Sequence, residues 1–194
     1  MKSILIIGAS SFLGKATLND LEGHKFDLDI TTRSKTSSQN SIYLDLEMPD
    51  EVFATLNSLK RYDFILLIAS KIGWNTTDDL FTTNVLSTGI ICHFAKKWQS
   101  KIIFTSAAIV CGTETENITE NSPVKIDNDY AKSKFYAEQI IHASGVENCI
   151  LRIGGIFGLN GPNHLGINAS IIAALQGKPI INKLKNEVYR NYIY

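Results

Sequence analysis

The chain has 194 residues, of which 44% are hydrophobic and 20% are charged. At roughly 150 residues per domain, this length corresponds to one domain, or to one domain and part of a second. The 19 basic and 19 acidic side chains cancel, which argues against a protein that binds nucleic acid by neutralising its phosphates. Apolar runs such as Ile4–Ile7 and Ile65–Ala69 are far shorter than the roughly 20 residues of a membrane span. We therefore expect a globular protein with neither nucleic acid nor a membrane as partner.

The cysteines and histidines are scattered along the chain. Cys92, Cys111 and Cys149 are odd in number and far apart, so they indicate neither a disulfide framework nor a paired-cysteine metal site. The histidines lack the close spacing of metal ligands. The first residues run into an apolar segment without a small-residue cleavage site, unlike a secretion signal. We expect reduced thiols, no metal and a cytoplasmic location.

Short apolar runs alternate with longer segments of helical periodicity. Continuous apolar runs of this length are typical of strands buried on both faces of a parallel sheet. Because crossovers between parallel strands are nearly always right-handed, the alternation predicts a Rossmann-type doubly wound α/β sheet with helices on both faces. The predicted strands are 3–8, 26–31, 64–69, 101–105 and 149–153, and the predicted helices are 13–21, 49–59, 78–98 and 129–143.

The composition changes after Ile153. Glycines become frequent, a further helix is predicted near 167–175, and the chain stops within what looks like a strand. We therefore divide the chain into a domain of residues 1–153 and part of a second, smaller region, residues 154–194.

The turn after the first predicted strand is the first candidate binding site. It reads Gly8-Ala9-Ser10-Ser11-Phe12-Leu13-Gly14 and opens a predicted helix. In a dinucleotide-binding turn the first glycine permits a tight bend, the amides at the helix start hold a pyrophosphate, and the last glycine allows close packing of helix and strand. Ser11 takes the place of the usual middle glycine. A purely structural turn between strand and helix is the alternative.

Tyr130 and Lys134 are four residues apart in a predicted helix, within Tyr130-Ala131-Lys132-Ser133-Lys134. Side chains at this spacing project from one face of the helix. An ammonium beside a phenol stabilises the tyrosinate and lowers the phenol pKa from about 10, which makes the tyrosine usable as an acid or base. An exposed amphipathic face would give the same spacing, so the pair is informative only together with the glycine turn.

Together, the glycine turn, the Tyr130–Lys134 pair and the segments between them resemble the extended short-chain dehydrogenase/reductase family, in particular its NAD-dependent epimerase/dehydratase branch. Matching positions lie along the whole chain. Asp45-Leu46 resembles a pair that contacts the adenine, and Ala69-Ser70 resembles a strand end beside the nicotinamide ribose. Phe104–Gly112 resembles the strand and loop with a catalytic hydroxyl, and Tyr189–Tyr194 resembles a strand near the substrate. The other matching positions are Asn84 of the long central helix and Leu151-Arg152 with the turn 156–158.

The resemblance implies a role for these positions. Tyr130 would be the acid/base, and Lys134 would lower its pKa and bind the nicotinamide ribose. The catalytic hydroxyl is expected at Ser106 when counted forward from the strand end, whereas counting back five residues from Gly112 selects Ala107, which has no hydroxyl. The other expected cofactor-binding residues are Gly8, Ser10, Ser11, Phe12, Leu13, Gly14, Arg33, Asp45, Leu46, Ala69, Ser70 and Asn84.

The choice of cofactor depends on the end of the second predicted strand. A carboxylate there usually bonds the ribose 2′-hydroxyl of NAD, whereas an arginine suits the 2′-phosphate of NADP. Thr32 takes the place of the acid, Arg33 follows it, Lys35 is nearby, and Asp29 lies too early in the strand. We therefore expect a slight preference for NADP(H) over NAD(H). The choice between the two cofactors stays open, because relatives with this arginine also use NAD.

The resemblance implies an epimerase, dehydratase or keto-reductase that acts on a nucleotide-activated sugar by Tyr-Lys-assisted proton transfer and nicotinamide hydride transfer. It also implies a homodimer in which helices 78–98 and 129–143 of two copies pack together. The alternative is a cofactor-binding protein of the same fold with weak or no activity. Ser11, Ala107 and the short second region favour that alternative, whereas the Tyr130–Lys134 pair favours the enzyme.

Overall fold

The computed structural model describes residues 1–34, 41–73, 80–113, 115, 117–162, 166–180 and 192–194. Its central strands are β1 Lys2–Ile7, β2 Phe26–Thr32, β3 Ser41–Tyr43, β4 Phe64–Leu67, β5 Lys101–Ala107 and β6 Asn148–Ile153. They form one six-stranded parallel sheet in the order β3-β2-β1-β4-β5-β6. The order reverses between β1 and β4, and sheets of this kind bind ligands outside the carboxyl ends of the strands at such a reversal.

The α-helices of the described ranges are α1 Phe12–Leu21, α2 Pro49–Ser58, α3 Ser87–Trp98, α4 Asp129–Ser144 and α5 Gly166–Leu175. A π-helical turn, Thr82–Leu86, precedes α3, and a short 3-10 helix, Ala108–Cys111, follows β5. Two further strands, β7 Gly155–Ile156 and β8 Tyr192–Ile193, pair in parallel as a separate small sheet.

Helices cover both faces of the large sheet. Successive residues of a strand point to opposite faces, and β1 divides its buried side chains accordingly. Leu5 and Ile7 belong to the larger core, together with residues of α2, α3 and α4. Ile4 and Ile6 belong to the smaller core, against which Leu18 of α1 packs. The burial of four consecutive residues in β1 therefore follows from helices on both sides.

The predicted Rossmann-type doubly wound sheet is confirmed, with two differences in detail. Strand β3 was not predicted, because three residues are too few to show a periodicity. The predicted helix 78–98 is interrupted by the π-helical turn, and its residues 78 and 79 lie outside the described residues. The division of the chain at residue 153 stays a prediction.

Three further observations concern membranes, metals and thiols. None of the helices described is long and apolar enough to cross a bilayer. Nor do the described residues include a cluster of three or more His, Cys, Asp or Glu side chains that could hold a metal ion. Cys92, Cys111 and Cys149 are free thiols, and the first two are buried.

Candidate active site

The turn between β1 and α1 is closed by Ser11. Its hydroxyl donates to the Gly8 carbonyl at 2.8 Å and accepts from the Gly14 amide at 3.0 Å, so Ser11 caps the helix. Gly8 has a φ of +104°, and a Cβ atom there would lie 2.5 Å from the Ala69 nitrogen. A Cβ atom on Gly14 would lie 2.1 Å from the Gly8 carbonyl oxygen. Both positions therefore require glycine, and the turn lies directly against Ala69, two residues after the end of β4.

The N-terminus of α1 is accessible at this turn. Ser10 and Ser11 are exposed, and Phe12 and Leu13 are half-buried. The first turn of α1 contains no acidic residue, so no side chain of that turn neutralises the positive end of the helix dipole. Open amides at the start of a helix bind phosphate groups. These residues therefore fit the pyrophosphate of a dinucleotide.

Tyr130 lies in the first turn of α4, which is capped by the Asn128 side chain accepting from the Ala131 amide at 2.8 Å. Burial raises the pKa of the Tyr130 phenol, and a hydrogen bond with the Ser70 side chain opposes that rise. The phenol thus keeps its proton at neutral pH, and the lowered pKa that the sequence predicts from the neighbouring Lys134 is not found. Its partner Ser70 stands just after the end of β4, close to the β1–α1 turn.

Lys134 is the most deeply buried cation of the site, with 1% of its surface exposed. Its Nζ lies 4.3 Å from the centre of the Phe104 ring, a cation–π contact. Burial lowers the pKa of Lys134 to about 7, and the charge of Glu138 works in the opposite direction. A strongly perturbed lysine one helical turn from a half-buried tyrosine is typical of a functional site, and its ammonium can donate to a ribose hydroxyl.

Ser106 belongs to a polar cluster in the interior. Its buried hydroxyl hydrogen-bonds the Glu138 carboxylate, which also accepts from Arg152 Nε at 3.1 Å and Nη2 at 2.7 Å. Arg152 Nη1 lies 3.6 Å from Cys111 Sγ. Side chains alternate along β5, so Ala107 points to the face opposite Ser106. The hydroxyl expected to assist Tyr130 is therefore engaged with Glu138 in this structure.

Asn84 is buried within the π-helical turn and joins three parts of the site. Its side chain accepts from the Lys71 amide at 2.8 Å and donates to the Lys71 carbonyl at 2.9 Å. It also donates to the Ser133 hydroxyl at 3.0 Å, and that hydroxyl donates to the Tyr130 carbonyl at 2.8 Å. Asn84 thus fixes the segment after β4 to the first turn of α4.

A second group of side chains lies where β2 and β3 end. Arg33 follows β2, and Asp45 and Leu46 follow β3. Asp45 accepts from the amide of Glu47 at 3.0 Å, whereas Leu46 is buried and its carbonyl accepts from Ser87 at 2.7 Å. Glu47 Oε1 lies 3.6 Å from Arg33 Nη1.

Lys71 links this group to β4, because its Nζ donates to Glu47 Oε1 at 2.9 Å. Asp29, by contrast, is engaged elsewhere. It accepts from the Tyr62 hydroxyl at 2.7 Å and lies 3.0 Å from the Lys60 ammonium. Lys35, which contributed to the predicted cofactor preference, lies outside the described residues.

The structure thus brings most of the predicted residues to the carboxyl edge of the sheet. Gly8 contacts Ala69, and Ser70 contacts Tyr130. Ser106 faces the interior cluster instead. A sequence model of the NAD dependent epimerase/dehydratase family matches residues 4–194. The chain belongs to this family.

Two curated relatives are similar to the chain over part of their length. The chain is 28% identical over 145 residues to N-acetyl-alpha-D-glucosaminyl-diphospho-ditrans,octacis-undecaprenol 4-epimerase of Escherichia coli O157:H7, a match that covers 72% of this chain and 42% of that protein. It is 28% identical over 160 residues to UDP-glucose 4-epimerase of Bacillus subtilis (strain 168), covering 72% of this chain and 47% of the relative. The chain therefore matches about half the length of these relatives.

Among solved structures, the fold is similar to that of dTDP-glucose 4,6-dehydratase from Bacillus anthracis str. Ames in complex with NAD. The TM-score is 0.82 at 17% sequence identity, and the match covers 100% of this chain and 67% of that chain. At this identity the likeness concerns the fold, and it agrees with the strand order described above.

Two residues of the site were not predicted. Glu138 lies four residues after Lys134, so an acid on the same helix face was a signal that the sequence contained. Glu47 approaches Arg33 and Lys71 only through the pairing of β3 with β2 and the position of the segment after β4. Nothing in the local sequence indicates that contact.

Proposed function

We propose that this chain binds a nicotinamide dinucleotide along the carboxyl edge of its sheet. The amides at the start of α1 would hold the pyrophosphate, and Lys134 would hold the nicotinamide ribose. The buried Lys134 side chain is the observation that carries this proposal, because its Nζ faces an aromatic ring and, within the described part of the chain, no hydrogen bond occupies its donors. Membership of the family and the NAD complex of a structural neighbour support it.

The activity that we propose is that of an epimerase, dehydratase or keto-reductase acting on a nucleotide-activated sugar. Tyr130 would exchange a proton with a sugar hydroxyl, and the positive charge of Lys134 would stabilise the tyrosinate. When bound, the nicotinamide supplies hydride transfer. The names of the Bacillus relatives, a UDP-glucose epimerase and a dTDP-glucose dehydratase, support a sugar carried on a nucleotide.

A second candidate function is dinucleotide binding with little turnover. Ala107 lacks a hydroxyl, and the hydroxyl of Ser106 is committed to Glu138. A site that offers no hydroxyl to the reacting oxygen would still bind the cofactor, but it would transfer protons poorly. The pair of a half-buried Tyr130 and a buried Lys134 favours the enzyme over this candidate.

The experiment that separates the two candidates uses the wild-type chain and Tyr130→Phe. Each is mixed with NAD and with UDP-glucose or dTDP-glucose, and reduction of the nicotinamide and conversion of the sugar are followed. Conversion by the wild type that is lost in Tyr130→Phe supports the enzyme. Dinucleotide binding without conversion of either sugar by the wild type supports the second candidate.

Two further proposals concern the protein as a whole. We propose a homodimer built on the helical face around Leu86, which is 54% exposed. We also propose a cytoplasmic location, because free thiols such as those of Cys92 and Cys111 persist in a reducing compartment.

A further inference from the structure

Glu47 lies between two cations at the end of the sheet where the adenosine half of a dinucleotide would lie. Lys71 donates to Glu47 Oε1 at 2.9 Å, and Arg33 Nη1 lies 3.6 Å from the same oxygen. Both contacts use Oε1, and within the described part of the chain no hydrogen bond uses Oε2. The Glu47 side chain is 35% exposed, so a ligand can reach it.

The end of β2 has no acidic residue of its own that could bond the ribose 2′-hydroxyl of a dinucleotide. Thr32 is its last residue, and its hydroxyl accepts from the Ser34 amide at 3.1 Å. Asp29 is held by Tyr62 and Lys60. Glu47 lies four residues after β3, and the pairing of Thr32 with Tyr43 brings the segment after β3 towards Arg33.

We propose that Glu47 is the specificity-determining residue of the dinucleotide site and selects NAD(H) against NADP(H). Oε2 accepts a hydrogen bond from a free ribose 2′-hydroxyl, as an acid at the end of β2 would. A 2′-phosphate brings further negative charge next to the same carboxylate and competes with it for Arg33. This inference rests on the proposed dinucleotide site, and it reverses the preference that Arg33 alone predicts.

The expected size of the effect follows from the partial exposure of the site. Like charges a few ångströms apart near a protein surface repel each other, and solvent and salt weaken this repulsion. We therefore expect Glu47 to change the ratio of NADPH to NADH affinity by about tenfold.

The test is calorimetric titration of the wild type, Glu47→Gln and Glu51→Gln with NADH and with NADPH. Glu51→Gln is the matched control, because it removes the same charge from an exposed position in the first turn of α2. We expect the wild type to prefer NADH. We expect the preference to fall about tenfold in Glu47→Gln and to stay unchanged in Glu51→Gln.

Arg33→Ala gives a second test that leaves Glu47 in place, should Glu47→Gln not fold. With Glu47 as the selecting residue, Arg33→Ala still prefers NADH. The inference is overturned if the wild type prefers NADPH and Arg33→Ala loses this preference. It is also overturned if Glu47→Gln leaves the ratio of NADPH to NADH affinity unchanged. If the wild type binds neither dinucleotide, the proposed function fails as well. If the wild type binds both dinucleotides and Glu47→Gln does not change their relative affinity, the inference fails but the proposed function stands.

Discussion

Lys134 is an ionisable side chain held almost entirely away from water. Its ammonium faces the Phe104 ring, and Glu138, one turn along the helix, compensates part of the cost of burying a charge. A ribose hydroxyl at this place would give the ammonium the hydrogen-bond acceptor that an aromatic ring cannot supply. The residue thus costs stability in the free protein and contributes affinity when the proposed ligand binds.

This cost predicts how the stability of the cofactor-free protein depends on pH. The folded-state pKa of Lys134 is about 7, whereas an unfolded lysine has a pKa of about 10.4. Between these values the unfolded chain binds more protons, so the free energy of unfolding rises with pH, by at most about 1.4 kcal/mol per pH unit.

We expect urea unfolding of the wild type and of Lys134→Met to reveal this dependence between about pH 7 and about pH 9, below the range in which tyrosines titrate. The wild type should gain stability with rising pH relative to Lys134→Met. Parallel stability curves for the two proteins would contradict the lowered pKa of Lys134.

Glu138 is the centre of the interior cluster, and its loss leaves Arg152 without its carboxylate. Breaking a buried ion pair from one side costs about 3 kcal/mol or more, so Glu138→Gln should lower the free energy of unfolding by that amount. Glu147→Gln is the matched control, since Glu147 pairs with Lys101 at the surface and its side chain is 68% exposed. It should cost less than about 1 kcal/mol. Equal losses in denaturant titrations of the two variants would refute the difference.

Tyr130 is the proposed proton donor, and its replacement separates chemistry from binding. Tyr130→Phe keeps the ring and removes the hydroxyl, so turnover should fall on the order of 100-fold or more. Affinity for NADH should change by no more than about threefold, because the ligand contacts assigned to Lys134 persist. Steady-state rates and calorimetry measure the two effects, and turnover equal to that of the wild type would exclude the role.

At the scale of elements, the β1–α1 turn is determined by the absence of side-chain atoms at Gly14. Gly14→Ala would place a Cβ atom 2.1 Å from the Gly8 carbonyl, which forces the helix away from the strand. We expect a loss of about 2 kcal/mol or more. Gly23→Ala, where the nearest atom is the Asp20 carbonyl at 3.5 Å, should change stability by less than about 1 kcal/mol. Thermal unfolding measures both, and equal melting temperatures would contradict the close packing of this turn.

The helices and strands differ in how well the sequence alone predicts them. Apolar runs such as Ile4–Ile7 predict the buried strands because their pattern is local, and the spacing of Tyr130 and Lys134 predicts a shared helix face. Strand β3 and the π-helical turn Thr82–Leu86 carry no periodicity of their own. The hydrogen bond of Ser106 with Glu138 and the ion pair of Arg33 with Glu47 join side chains that only the tertiary fold brings together, so the local sequence does not predict them.

At the scale of the whole molecule, an apolar groove lies between the π-helical turn, α3 and α4. Its volume is about 290 Å³ and its lining residues are Phe81, Thr82, Val85, Leu86, Gly89 and Ile140. Tyr136 of α4 is 39% exposed, and its ring packs at a tilted angle against that of Phe81. An apolar face of two neighbouring helices is suited to pack on the same face of a second copy.

The proposed homodimer predicts the effect of a charge in this groove. Leu86→Glu should convert a dimer to a monomer in sedimentation velocity, because it buries an unpaired carboxylate at the interface. Leu159→Glu, at a residue that is 84% exposed and remote from the groove in sequence, should remain dimeric. A wild type that sediments as a monomer at every concentration would contradict the dimer.

The proposed dinucleotide site depends most on the buried side chain of Lys134. Calorimetric titration of the wild type and of Lys134→Met with NADH tests it most directly. We predict that the wild type binds one NADH per chain and that Lys134→Met, folded as judged by its unfolding curve, binds about tenfold or more weakly, since it loses a charge-assisted hydrogen bond. Equal affinities for the two proteins, or no binding by the wild type, would contradict the account.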